Sequence, residues 1–268
     1  MTGIASRLQT TARKALRVTG FVGFTGVMIP LYVARDRLAR EGKRSAVRDR
    51  WLRRWSGTLL RLFAVQVTVE EAGSAPRTPA GGRLVVSNHR SAIDVGILLQ
   101  HFGGHMVSRA DLAGWPVVGA AARSVETVFV DRSSTMSGAS TIRAIRDLLR
   151  KGETVLLFPE GTTFSGDDVR PFQAGAFIAT LKTQASIVPV GIAYASGSDA
   201  AFVGESFPAH LARMAGGKPT HVAVHVGEPI EVTPKSHAAE LAERARVAVQ
   251  GLVALARKDA DAQDVSPS

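Results

Sequence analysis

Leu84-Val85-Val86-Ser87-Asn88-His89-Arg90-Ser91-Ala92-Ile93-Asp94 is an apolar run that breaks into a polar turn holding an imidazole and a carboxylate five positions apart. A second apolar run, Thr154-Val155-Leu156-Leu157-Phe158, breaks in the same way into Pro159-Glu160-Gly161-Thr162. Short apolar runs bounded by turn residues read as buried strands, and Thr127–Val130, Ile187–Ile192 and His221–Val226 are others. Helical patterns fall between them. Ile142, Ile145, Leu148 and Leu149 recur at helical spacing, with Ser140 as the expected cap and Gly152 as the stop. A last helix is expected over Ala238 to Lys258, with Leu241, Ala245, Ala248, Val249 and Leu252 on one face. Strand and helix in turn predict an α/β fold, a mixed, largely parallel sheet covered by helices.

The spacing of His89 and Asp94 constrains the local geometry. On one continuous helix, positions five apart sit roughly 140° around the axis from each other and cannot meet. They meet if His89 lies in the turn and the helix starts near Ser91. Asp94 can then accept from one ring nitrogen and leave the other free to take a proton, as in a Ser-His-Asp triad. Ser91-Ala92-Ile93-Asp94 equally fits a helix-capping box, with His89 merely a loop residue. Glu160, just past a strand, should emerge at the carboxyl edge of the sheet, where α/β proteins place ligands. A lone Pro-Glu-Gly also fits an ordinary turn.

The two motifs together, in this order and separation, resemble those of the lysophosphatidic acid acyltransferases, also called glycerolipid acyltransferases. The likeness runs from about His89 to Ile192. It implies catalytic roles for His89 and Asp94, and acceptor binding by Phe158, Pro159, Glu160, Gly161, Thr162 and the adjoining Thr163. Trp115-Pro116-Val117-Val118-Gly119 with Val128-Phe129-Val130-Asp131-Arg132 looks like the second block of the family, which makes Arg132 a ligand of the acceptor phosphate. A surface arginine paired with Asp131 would read the same. Pro171 to Phe177 is similar to the tail of the third block, and Ile187-Val188-Pro189-Val190 to the fourth. The fourth places Val188 and Pro189 on the acyl side, although pure core would look identical. Thr163 stands where the family commonly has Arg, which removes one cation from the acceptor site and leaves other lysolipids open, lyso-ornithine lipid among them. The implied reaction moves an acyl group from acyl-CoA or acyl-carrier protein to a lysolipid hydroxyl, first of all 1-acyl-glycerol-3-phosphate giving phosphatidate. No cofactor and no metal are implied.

Composition narrows the rivals. Residues 1–54 hold thirteen Lys and Arg against Asp36, Glu41 and Asp49, so they carry the whole net charge of +10 and the body is neutral. A nucleic-acid binder would need that charge and stacking aromatics on its body, and aromatic content is 6%. There is no cysteine, hence no disulfide, thiolate metal site or Cys nucleophile. His101 and His105 are separated by Phe102-Gly103-Gly104, a poor helix for a metal pair, and His221 with His225, on one strand face, shows no third ligand. No serine-hydrolase elbow, phosphate loop or dinucleotide fingerprint is present.

The apolar run Val18 to Ala34, flanked by Arg13, Lys14, Arg17, Arg35, Arg37 and Arg40, spans roughly 25 Å as a helix, short for a hydrocarbon core of about 30 Å. A segment dipping into or lying along an anionic leaflet fits it best. Trp51, Leu52, Trp55, Leu59, Leu60 and Leu62, mixed with arginines, look like an interfacial helix. A signal peptide and a basic arm with a buried hairpin are the alternatives. The expected organisation is a membrane-associating helical segment over 1–62, a catalytic domain over 63–258 and a flexible tail over 259–268, on the cytoplasmic face of the membrane. A non-catalytic lipid-binding protein would share the basic segment without needing His89, Asp94 and Glu160 together.

Overall fold

Two helices, α1 (Thr2–Leu38) and α2 (Arg44–Leu62), precede the first strand, β1 (Val65–Glu71). Then follow β2 (Arg83–Ser87), α3 (Ile93–Phe102), β3 (His105–Arg109), α4 (Val118–Ser124), β4 (Val128–Val130), α5 (Thr135–Arg150) and β5 (Thr154–Leu157). The chain continues with α6 (Gly175–Ile178), β6 (Ser186–Tyr194), α7 (Phe207–Gly216), β7 (Thr220–Val226), β8 (Ile230–Glu231) and α8 (Ala238–Asp264). This computed structural model describes residues 2–72, 81–115, 118–131 and 135–264.

The strands lie in the order β1-β7-β6-β2-β5-β3-β4, with β8 beside β6. Pairing is parallel along β6-β2-β5-β3-β4 and between β1 and β7, and antiparallel where β7 and β8 meet β6. This is the mixed, largely parallel sheet that the alternating runs predict. Its register positions the site: Val86 pairs with both Leu157 and Pro189. The ends of β2 and β5 therefore leave the sheet side by side, and the two motifs emerge together.

Both faces of the sheet are covered. Val85, Leu156 and Val188 pack toward α2 and α3, while Leu84, Val86, Val155 and Leu157 pack toward α5 and α8. That alternation is the two-residue period of a strand, and burial on both faces explains why these runs are apolar throughout. Helix α8 can lie against β6 because Gly191 has no side chain; a Cβ there would sit 2.4 Å from the Leu252 carbonyl carbon.

Three local expectations change. Helix α5 begins at Thr135, so Ser140 lies inside it and donates to the Ser137 carbonyl instead of capping the start. Helix α8 runs past Lys258 to Asp264, because Asp261 accepts from the Ser196 amide and hydroxyl and Asp259 pairs with His225. Residues 259–264 of the expected tail are thus helical, and 265–268 lie outside the described residues. Helix α2 is no interfacial helix: Leu52, Leu59 and Leu60 are buried, and Leu52 and Leu60 join the core beneath α3. An amphipathic pattern reports that one face is covered, not what covers it.

Helix α1 stays continuous through Pro30. It packs on α2, with the Trp55 indole donating to Thr25 Oγ1 at 3.1 Å, and on the end of α7, where Arg13 and Arg17 donate to the Gly217 carbonyl. Its stretch Arg7–Leu38 is long and apolar enough to cross a membrane by length and composition, and Leu16, Val27 and Leu31 on it are exposed.

Candidate active site

The turn from Asn88 to Ala92 joins β2 to α3, and buried bonds fix it at each step. Asn88 donates its amide to the Ile192 carbonyl at 2.8 Å and accepts the Ile192 N–H at 2.9 Å, which locks the turn onto β6. Asp94 is fully buried. Its Oδ2 accepts the N–H groups of Arg90 at 2.6 Å and Ser91 at 2.8 Å, and lies 3.0 Å from His89 Nδ1. Its Oδ1 accepts the Tyr194 hydroxyl at 2.5 Å. Both Asp94 oxygens act as acceptors, so the hydrogen shared with His89 sits on Nδ1 and Nε2 faces away from Asp94. Burial, and then the Asp94 charge, push the Tyr194 hydroxyl well above its ordinary pKa, which keeps it a donor.

The capping and catalytic readings of Asp94 prove compatible. The helix starts at Ile93, and the carboxylate that satisfies the turn's amides also orients the imidazole. The Asp94 side chain has no exposed surface, whereas that of His89 is 18% exposed. The imidazole is open and its partner is sealed. The His89 ring stacks on Phe158 with centroids 3.9 Å apart and planes at 7°.

Glu160 emerges beside this turn, as its place after a strand predicts, but points inward. One oxygen accepts the His89 N–H at 2.8 Å and Arg90 Nη1 at 2.7 Å, and the other accepts the Arg170 N–H at 2.9 Å. Arg90 is itself buried, and donates further to the carbonyls of His89, Gly166 and Asp168. The second motif thus clamps the first through an ion pair and a main-chain bond. Pro159 accepts the Gln173 N–H at its carbonyl, and Gly161 has φ +88°, a left-handed turn that favours glycine. Thr162 is exposed. The Thr163 hydroxyl donates to the Phe202 carbonyl, and the Phe202 N–H donates to the Arg90 carbonyl at 2.8 Å.

A cavity of about 320 Å³ opens beside His89. Phe21 and Met28 of α1, Trp55 of α2 and Ile93 of α3 line it, with Trp115 and Phe207 also in its wall. Val188 and Pro189 do not line it: both are buried in β6, whose nine residues are all covered, and Val188 belongs to the core. The apolar walls beside His89 come largely from helices, not from the strand to which the resemblance assigns the acyl side. Arg132 lies outside the described residues. Among the described residues no three His, Asp or Glu gather to hold a metal ion; His101 pairs with Glu71 and His225 with Asp259.

Two participants are absent from the sequence reading. Arg90 stands inside the motif but carries no spacing signal of its own. Tyr194 lies a hundred residues from Asp94, and only the sheet brings them together.

The family model described as Acyltransferase matches residues 66–193. The lyso-ornithine lipid O-acyltransferase of Pseudomonas aeruginosa is 31% identical over 251 residues, 91% of this chain and 93% of that protein. The chain belongs to the acyltransferase family. A shorter match, 30% over 133 residues, relates this acyltransferase to the 1-acyl-sn-glycerol-3-phosphate acyltransferase of Neisseria gonorrhoeae and spans about half of each, 50% and 52%. The crystal structure of the 1-acyl-sn-glycerophosphate (LPA) acyltransferase PlsC from Thermotoga maritima superposes with a TM-score of 0.66 over 100% of both chains, at 20% identity, which establishes a shared fold.

Proposed function

We propose that this acyltransferase moves a fatty acyl group from an acyl thioester, acyl-CoA or acyl-carrier protein, to the hydroxyl of a lysolipid, with His89 as the base. One observation carries the reading: a buried Asp94 holds His89 Nδ1 at 3.0 Å while the imidazole adjoins an apolar cavity. Nε2 takes the hydroxyl proton as the oxygen attacks the thioester carbonyl. Asp94 stabilises the imidazolium. When the tetrahedral intermediate collapses, the C–S bond breaks and the departing sulfur receives the proton from His89. A positioned base of this kind contributes about 10²–10⁴ in rate. The cavity suits the acyl chain, since each buried methylene contributes about 0.8 kcal/mol. Purified His89→Ala should fold and release no thiol above background; wild-type turnover would refute the base assignment.

The acceptor divides into two readings. Arg132 as a phosphate ligand favours 1-acyl-glycerol-3-phosphate as acceptor and phosphatidate as product. Lyso-ornithine lipid is favoured by Thr163, which offers no charge and is engaged with Phe202, and by the near full-length similarity to the Pseudomonas aeruginosa enzyme. Running the same thiol-release assay with each acceptor decides between them by the larger kcat/KM.

The protein would work on the cytoplasmic face of a membrane, with α1 seated in the lipid. Supporting this are its exposed Leu16, Val27 and Leu31 between basic flanks. Because Arg13 and Arg17 of α1 also bind the body, the test substitutes rather than truncates. The triple variant Leu16→Ser, Val27→Ser, Leu31→Ser should stay folded and lose sedimentation with anionic vesicles. Undiminished sedimentation would contradict the membrane seat.

A further inference from the structure

A second imidazole–carboxylate pair lies against the catalytic turn, and the acyl-transfer chemistry above does not use it. His210, in the first turn of α7, is 1% exposed and forms part of the wall of the cavity that His89 adjoins. Its Nδ1 lies 3.0 Å from Glu205 Oε1, its ring stacks on Phe202 with centroids 4.5 Å apart, and its Nε2 lies 3.4 Å from Ser91 Oγ.

The hydrogens can be assigned. Arg213 Nη2 lies 3.0 Å from His210 Nδ1, but its two hydrogens are taken by the Ala201 carbonyl, at 2.6 Å, and by Glu205. Pairing with Arg213 holds the Glu205 carboxyl below its usual range, so it is an ionised acceptor. The hydrogen between Glu205 and the ring therefore sits on Nδ1, and Nε2 accepts from the Ser91 hydroxyl. Burial keeps His210 below its ordinary pKa despite Glu205, which preserves that neutral tautomer. Ser91 is fully buried. Its N–H donates to Asp94, its Oγ accepts the Ile93 N–H at 3.3 Å, and its hydroxyl hydrogen faces both His210 Nε2 and the Tyr194 hydroxyl, the group that donates to Asp94, so His210 helps to fix it. A polar ring in an apolar wall carries a desolvation cost that a leucine there would avoid, and plain packing does not account for it.

We propose that Glu205 and His210 form a positioning pair for the acyl-transfer site, fixing Ser91 and, through it, the turn that presents Asp94 to His89. The proposal rests on His89 being the base. It makes the site two nested imidazole–carboxylate pairs, one facing the substrate and one facing the first.

The test is steady-state thiol release by the full-length enzyme in lysolipid mixed micelles, for His210→Ala, Ser91→Ala, the double variant, Glu205→Gln and His89→Ala. His210→Ala should lower kcat about 10- to 100-fold and leave KM for the thioester within about twofold, the pattern of a misplaced reacting group and not of lost binding. Ser91→Ala should do the same, and the double variant should be no slower than the slower single one. Glu205→Gln should lower kcat in the same direction by a smaller factor, and stands in if His210→Ala does not fold. Full kcat in folded His210→Ala or Glu205→Gln overturns the proposal, as do losses that multiply in the double variant. Inactive His89→Ala beside fully active His210→Ala removes the positioning role alone; active His89→Ala removes the base assignment with it.

Discussion

Strand β5 has a carboxylate beyond each end, Glu153 before it and Glu160 after it, and each is paired with an arginine from another part of the chain. Arg48 of α2 meets Glu153 at 2.7 Å, and Arg90 of the turn after β2 meets Glu160 at 2.7 Å. The lengths match, but the surroundings differ. Around Glu160 the bonds run to main chain beside His89, so the pair fixes a loop that must hold an imidazole in one place. Around Glu153 they run to side chains: Ser45, His105 and Arg48, which in turn grips Asp49. That pair fastens a helix to the amino edge of the sheet, away from the turn that holds His89. One strand thus ends in a scaffold bolt on one side and a site bolt on the other, and the two should fail differently.

The largest expected effect is at the site end. Glu160→Gln replaces an acceptor of three hydrogen bonds by an amide that can accept at only one oxygen, and leaves the buried Arg90 charge without its partner. Loss of one partner of a buried pair costs about 3–5 kcal/mol, and a turn displaced by even an ångström loses about 10²-fold in rate. Thermal unfolding should move down and kcat should fall at least that far in the fraction that stays folded. An unchanged kcat would mean that Glu160 does not hold the turn.

Arg48→Met should separate stability from rate. Glu153 is 17% exposed at its side chain, so water relieves part of the loss, and the cost should be smaller than at Glu160, about 2–3 kcal/mol. Because Arg48 pairs with residues outside the turn proposed to carry the base, kcat per folded molecule should stay within about twofold of wild type. A drop in kcat with an unshifted unfolding midpoint would erase the distinction between the two ends.

The same contrast marks what the sequence reveals and what it hides. The strands are legible because β2, β5 and β6 are covered on both faces and must be apolar throughout. His89 and Asp94 are legible because at that spacing they meet only if His89 lies in the turn before the helix, and the second motif favours that arrangement over a plain helix cap. Glu160 is legible as a position at the sheet edge, yet its inward direction is not, since that depends on Arg90 and on a register set by pairing across the sheet. Tyr194 and the Glu205–His210 pair cannot be read at all: their links to Asp94 and Ser91 join segments about a hundred residues apart or more, and no local period records them. The helices α1 and α2 announce apolar faces, but core and lipid impose the same pattern, and only packing shows that α2 faces the one while α1 leaves side chains exposed. Val188 and Pro189 share that ambiguity, as a covered strand and the wall of an apolar cavity draw on the same residues.

The smallest expected effect sharpens the scaffold end through its dependence on pH. His105, 3.7 Å away, opposed by burial and reinforced by hydrogen bonds from Ser45 and Arg48, holds the Glu153 carboxyl well below its ordinary value of 4.5. A carboxyl depressed in the folded state binds protons more readily when unfolded. Its stabilising contribution is therefore fully present above about pH 4.5 and drains away as pH falls below that value toward the folded pKa. Urea midpoints measured between about pH 6 and 3 should decline on the acid side, and Glu153→Gln, less stable at the upper end of that range, should show a shallower decline because its amide does not titrate. Parallel curves for the two proteins would place the acid sensitivity elsewhere and leave the Arg48 contact as an ordinary hydrogen bond, with no titrating partner behind it.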